Sequence, residues 1–263
     1  SAGTIKKYSQ NLLQSSVENQ ASQIEAWLNE NLASFQMAKT IIEDLKPSDE
    51  ELKTILDGYY GYKSNYPEGR CVADSTGQLI TASESTKKES DVTNSTWYKE
   101  GLTRVNMAVG SAYQNADGVN VISASGILND GSDKVRVISA DMTLDRIAII
   151  VNSFIEMNDA EAFLVDKTSG VILANRDSSL ISQTLGAEGQ SHFYQLTAEK
   201  AAEKDYNFAT LDGNMTVFKE VDGTNWLLIS YIPTSVGLSD LTQLRNIMIV
   251  ISVICIALLC VLI

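Results

Sequence analysis

Apolar residues recur at Ile5, Tyr8, Leu12, Ala21, Ile24, Leu28, Leu32, Phe35, Ala38, Ile42 and Leu45. Most steps are three, four or seven, the spacing of one helical face. No proline interrupts the run, and its only nearby glycine, Gly3, precedes it. The pattern predicts one helix roughly 60 Å long at 1.5 Å per residue. Two shorter helices broken near Ser15-Ser16 are the alternative. Pro47 stops the helix, and Ser48 followed by Glu51 predicts a capping box opening a second one.

Beyond that point the period changes from helical to alternating. Cys71–Ala82 (CVADSTGQLITA) reads as strand, Asp-x-x-Gly turn, strand, and Phe163–Ala174 (FLVDKTSGVILA) repeats it 92 positions later. An aromatic pair follows each copy, Trp97-Tyr98 in STWYKEG and Phe193-Tyr194 in SHFYQL. Three alternating strands then follow in each half. Their turns carry Asp117-Gly118 and Asp130-Gly131 in the first half, and Asp212-Gly213 and Asp222-Gly223 in the second. The apolar stretch TLDRIAIIVNSFI joins the halves as a helix. The fold class is therefore α+β, with a long N-terminal helix and two modules built on antiparallel sheets. The predicted segments are a stalk helix at 1–47, a first module at 48–147 and a second at 148–240. An uncharged run from Ile247 to Ile263 follows, which places the start of a transmembrane helix at 246–263.

Charge and composition narrow the chemistry. With 33 acidic against 20 basic residues the net charge is −13, which argues against a nucleic-acid partner. One histidine, His192, and three scattered cysteines leave no zinc site, His-based triad or disulfide framework, so neither metal nor cofactor is expected. An extracellular enzyme using paired carboxylates, or an adhesion module, are the alternatives to a binding module. Among 33 acids some pair always falls close, so carboxylate pairing carries little weight.

The ordered set of long helix, two modules with the D-x-x-G hairpin, and return to an apolar helix resembles the double Cache sensor domain. That domain is the extracytoplasmic sensing region of bacterial chemoreceptors, sensor kinases and diguanylate cyclases. The resemblance implies a non-enzymatic sensor in the cell membrane, homodimeric in its full-length receptor, which passes its signal through the membrane helix. It also implies ligand binding in the first, membrane-distal module. In the amino-acid-binding branch the ligand is held by an arginine two residues before a Trp-Tyr pair, then by a strand tyrosine and a strand-end aspartate. Trp97, Tyr98, Tyr113 and Asp141 match this pattern. Ser95 stands at the arginine position, which removes the usual grip on a ligand carboxylate. Amines and betaine-like compounds thereby join amino acids as expected ligands.

The internal repeat gives a second argument. Aligned on the aromatic pairs and turns, Trp97 corresponds to Phe193, Tyr98 to Tyr194, Tyr113 to Phe208 and Asp141 to Ile232. The second half looks like a filled version of the first. A buried carboxylate needs a partner, and no cation is an obvious local one for Asp141, Arg146 being nearest in sequence. A ligand ammonium is the expected partner. Alternatively, Trp97 and Tyr98 anchor a loop, and Asp141 caps the helix that begins near Thr143. Arg70, Arg104 and Arg136 are the cations available to replace the missing arginine.

Overall fold

The structure, a computed structural model, describes residues 2–60, 66–155 and 157–262. Ser1 and Ile263, at the ends of two predicted segments, lie outside them. The first helix, α1, runs unbroken over Ala2–Leu45, so the two-helix alternative fails at Ser15-Ser16. Its buried seam is Leu13, Val17, Ala21, Ile24, Leu28, Phe35, Ala38 and Ile42. Tyr8, Leu12 and Leu45, predicted on the same stripe, face outward. Leu13 and Ile42 lie about eight turns apart at 3.6 residues per turn and so share a face, whereas Tyr8 and Leu12 fall more than about a quarter turn off it.

The capping box at α2 (Asp49–Tyr59) forms as the sequence predicts. Ser48 Oγ accepts from Glu51 N, and Ser48 N donates to Glu51 Oε2. Ser48→Ala should lower stability by about 1 kcal/mol, the usual worth of such a cap, as read from urea denaturation.

Two five-stranded antiparallel sheets follow. The first holds β1 (Arg70–Asp74), β2 (Leu79–Thr81), β3 (Ala108–Gln114), β4 (Asn120–Leu128) and β5 (Arg136–Thr143), in the order β2-β1-β5-β4-β3. The second holds β6 (Glu161–Asp166), β7 (Ile172–Ala174), β8 (Ala209–Leu211), β9 (Asn214–Val221) and β10 (Trp226–Pro233), in the order β7-β6-β10-β9-β8. The two orders are identical, so the repeat read in the sequence is a repeat of topology. Each D-x-x-G turn is held by its own aspartate. Asp74 Oδ1 accepts from Thr76 N and Gln78 N, and Asp166 Oδ1 from Thr168 N and Ser169 N. Gly77 and Gly170 take the left-handed backbone these turns need.

One face of both sheets packs on α1. The middle of the helix reaches the second sheet through Glu25, whose carboxylate accepts from Asp222 N. Its C-terminal part reaches the first through Gln36, which accepts from Met107 N, and Glu43, which accepts from Asn129 N. The linker helix α4 (Leu144–Ser153) ties in where Gln20 donates to Val151 O. The opposite face of each sheet is crossed by a shorter helix, α3 (Thr96–Gly101) in the first half and α5 (His192–Ala202) in the second.

The last helix, α6, spans Thr234–Leu262. Its stretch Thr242–Cys260, of mean hydropathy 2.2, is long and apolar enough to cross a membrane, and none of it is buried within the protein. Thr4, Ile5 and Tyr8 of α1 line one groove with Leu244, Arg245 and Met248 of α6, so the start of the first helix lies beside the last.

Candidate functional site

Strand alternation sorts each sheet into two faces. In β5, Ile138, Ala140 and Met142 join the core against α1, while Val137, Ser139 and Asp141 face α3. The α3 side of the first sheet is small and polar. Cys71 pairs across the ladder with Ser139, Ser139 with Ser125, and Asp141 with Ser123.

The same ladders fix the correspondence between halves. Asp74 opposes Arg136, and Asp166 opposes Trp226, which makes Asp141 the counterpart of Tyr231. The sequence alignment to Ile232 is therefore one residue off. A slip of one turns a side chain to the other face, and Ile232 indeed lies in the α1 core. Tyr113 opposes Val121 and Leu211 opposes Asn214, so Tyr113 corresponds to Leu211 and not to Phe208. In this register Cys71 becomes Phe163, Ser125 becomes Phe218, Ser139 becomes Ile229 and Asp141 becomes Tyr231. Two of these pack with α5 as rings: Tyr231 lies 4.4 Å from Phe193, and Phe163 lies 5.2 Å from Tyr194. The second half is filled with aromatic carbon where the first carries hydroxyls, a thiol and a carboxylate.

Asp141 sits within β5 and is 9% exposed. The cap of α4 is Thr143, whose hydroxyl accepts from Arg146 N, so the capping alternative for Asp141 is excluded. Asp141 Oδ1 accepts from Ser123 Oγ at 2.6 Å, and the Tyr113 hydroxyl lies 2.6 Å from Ser123 Oγ and 3.4 Å from Asp141. Burial, and then the Asp141 carboxylate, push the Tyr113 phenol well above its ordinary range.

The expectation that Asp141 lacks a cation of its own is wrong. Lys87 Nζ lies 2.5 Å from Asp141 Oδ2, and both side chains are about nine-tenths buried. The same ammonium lies 5.0 Å from the centre of the Trp97 ring, within cation–π range. Burial opposes the lysine charge, but the adjacent Asp141 carboxylate outweighs it and holds Lys87 protonated above the usual lysine range. Burial also pushes the Cys71 thiol up to about 12, so this sulfur is an inert floor atom.

Trp97 is fully buried, and its Nε1 donates to Glu89 Oε1 at 3.0 Å. Tyr98 behaves differently from the prediction. Its hydroxyl donates to Val135 O, six residues or about 20 Å of strand from Asp141 at 3.3 Å per residue. Tyr98 therefore packs the far end of the cluster. Ser95 begins α3 and spends its hydroxyl on Val92 O. Trp97, Tyr113 and Asp141 thus come together, Tyr98 and Ser95 stay outside, and Lys87, Glu89 and Ser123 join. Ser123 was open to discovery by strand alternation. Lys87 was not, because it lies in an aperiodic polar stretch 54 residues from its partner.

The three arginines divide clearly. Arg70 lies on the α1 side, over the rings of Phe35 and Tyr59. Arg136 is paired with Asp49 and Asp130. Only Arg104 reaches the polar floor: it donates to Ser125 Oγ at 3.2 Å and to Ala108 O, and pairs with Glu100. On that floor the Ser139 hydroxyl is fully buried and finds no hydrogen-bond partner among the described residues. Also among the described residues, no group of three or more His, Cys, Asp or Glu is placed to hold a metal ion.

Comparison with known structures finds the same fold in chemoreceptor ligand-binding domains. The ligand-binding domain of the Pseudomonas fluorescens chemoreceptor CtaA, in complex with L-isoleucine, superposes with a TM-score of 0.72. It shares 19% identity, over 90% of this chain and 97% of that one. The ligand-binding domain of the Pseudomonas aeruginosa PAO1 amino acid chemoreceptor PctC, in complex with GABA, gives a TM-score of 0.68 at 20% identity. That alignment covers 85% of this chain and 98% of that one. No curated protein matches the chain in sequence. The profile of the family described as Cache domain matches residues 1–241. With the repeated hairpin, the common topology of the two sheets and the helix α1 behind both, the chain belongs to the Cache domain family.

Proposed function

We propose that the chain is the extracytoplasmic sensor of a membrane receptor and binds a small amine or amino-acid-like molecule in its first half. The observation that carries this reading is the contrast between the two α3/α5 faces. Phe163, Phe218, Ile229 and Tyr231 fill one, while Cys71, Ser125, Ser139 and Asp141 occupy the same ladder positions in the other. Burying a carboxylate and an unpaired hydroxyl costs stability that a purely structural face has no reason to spend. An ammonium ligand supplies charge to Asp141 and a cation to the Trp97 face. L-isoleucine and GABA, bound in the two structures above, each carry an ammonium group. The apolar span of α6 and its position beside the start of α1 support a membrane anchor at one end. α4 begins three residues after Asp141 and ends against α1, which is a direct route for the signal.

A thermal-shift screen of amino acids, amines and betaines should find ligands that raise the melting temperature by mass action. For the best of them, Asp141→Asn should weaken binding by about 1.5–3 kcal/mol, the range for a hydrogen bond to a charged group. Calorimetry giving wild-type affinity in Asp141→Asn would overturn the reading.

A further inference from the structure

The ammonium that Asp141 holds is the protein's own. Lys87 Nζ stands against Asp141 Oδ2 and over the Trp97 ring, where a ligand amine would stand. The backbone of Lys87 is fixed without help from that contact. Glu68 accepts from Thr86 N at 2.7 Å, Lys87 N at 3.2 Å, Ser85 Oγ at 2.6 Å and Thr86 Oγ1 at 2.8 Å. The lysine side chain therefore has an anchored base, and swinging it out of the cage would require no movement of its own backbone or of β5. Once the ammonium leaves, the Asp141 carboxylate remains bonded to Ser123, and Trp97 remains held by Glu89.

We propose that Lys87 is a tethered occupant of the amine site, which a ligand ammonium must displace in order to bind. The proposal rests on the reading of this cluster as an amine site and adds its internal competitor. Exchanging one ammonium for another keeps the buried carboxylate paired throughout. A carboxylate-only or neutral molecule cannot make that exchange, because drawing Lys87 away would leave Asp141 buried and unpaired. Lys87 thus filters ligands by charge. It also sets the concentration at which they register, since a tethered group competes at a high effective concentration. In the opposite arrangement Lys87 stays in place and grips a ligand carboxylate, and its ammonium signal then stays protected when a ligand binds.

The probe is n-butylammonium, which copies the lysine side chain from Cβ outward. Calorimetry is run on the full chain in neutral-detergent micelles, with Asp141→Asn as the background for partitioning into detergent. Lys87→Met keeps the aliphatic stem and removes the charge. It should bind n-butylammonium at least about a hundredfold more tightly than the unaltered protein, the low end of what tethering contributes. Equal or weaker binding by Lys87→Met, with binding still lost in Asp141→Asn, would overturn the tethered occupant and leave the amine site standing. Absence of binding in both the unaltered protein and Lys87→Met would overturn both. A second measurement needs no folded variant. In the unaltered protein the Lys87 ammonium should give a nitrogen-attached proton signal protected from exchange, and n-butylammonium should abolish that protection. A signal that stays protected while the probe binds would overturn the proposal.

Discussion

Lys87→Met should destabilise the protein by about 3–5 kcal/mol at pH 7. The reasoning starts from asymmetry between the two partners. Asp141 is fixed on a central strand with its neighbours Ala140 and Met142 in the α1 core. It cannot follow its charge into water. Removing the lysine therefore leaves a buried carboxylate with only hydroxyl donors, from Ser123 and Tyr113. Breaking a buried pair in this way costs about 3–5 kcal/mol.

Asp141→Asn should cost less, about 1–3 kcal/mol, because the freed Lys87 ammonium sits on a long stem and swings to solvent. In the double variant Lys87→Met/Asp141→Asn neither charge remains, so the stability lost in Lys87→Met should largely return. Urea denaturation of the four proteins at pH 7 checks this. A loss below about 1 kcal/mol for Lys87→Met at pH 7 would mean that the pair is solvated and the cage open.

What the sequence disclosed follows from which features are periodic. The long α1, the capping box at Ser48 and the two D-x-x-G hairpins each carry a local rule, and each formed as read. The equivalence of the halves was legible because turns and aromatic pairs recur in the same order. Register was not legible to a single residue. VISAD and LISYI align on their shared Ile-Ser, yet the ladders put Ile138 with Leu228. Only the hydrogen-bond pairing to β1 and β6 decides between neighbouring residues, and that pairing is long-range. The partner of Asp141 was hidden for a related reason. Lys87 and Glu89 lie in a polar stretch with no hydrophobic alternation, and their positions follow from contacts to Glu68 and Trp97. Tyr98 misled because adjacent aromatics on a short helix point in different directions: Trp97 turns towards Lys87 and Tyr98 towards Val135.

Phe163→Ala, in the filled half, should cost about 3–5 kcal/mol of stability and leave ligand affinity unchanged. Phe163 is 1% exposed and lies with Phe193, Tyr194 and Tyr231 in one aromatic cluster. Truncation removes the largest apolar group on the α5 side of β6 and leaves a hole that three neighbouring rings, each held in its own contacts, cannot close. That resistance to collapse places the cost in the usual range for a buried phenylalanine. The cluster is separated from Asp141 by α4 and the α1 core, so the two sites should not couple beyond the folded fraction. The reciprocal change tests the equivalence directly. Cys71→Phe puts the second half's ring into the first half's floor, opposite Ser139. Over-packing there should cost about 1–3 kcal/mol, and a ring on the floor beside Asp141 should abolish ligand binding in a protein that remains folded. Urea denaturation gives the stabilities, and calorimetry with the best ligand from the thermal-shift screen gives the affinities. If Phe163→Ala weakened binding as much as Asp141→Asn, or if Cys71→Phe bound ligand as the unaltered protein does, the division into one filled and one receptive half would be wrong.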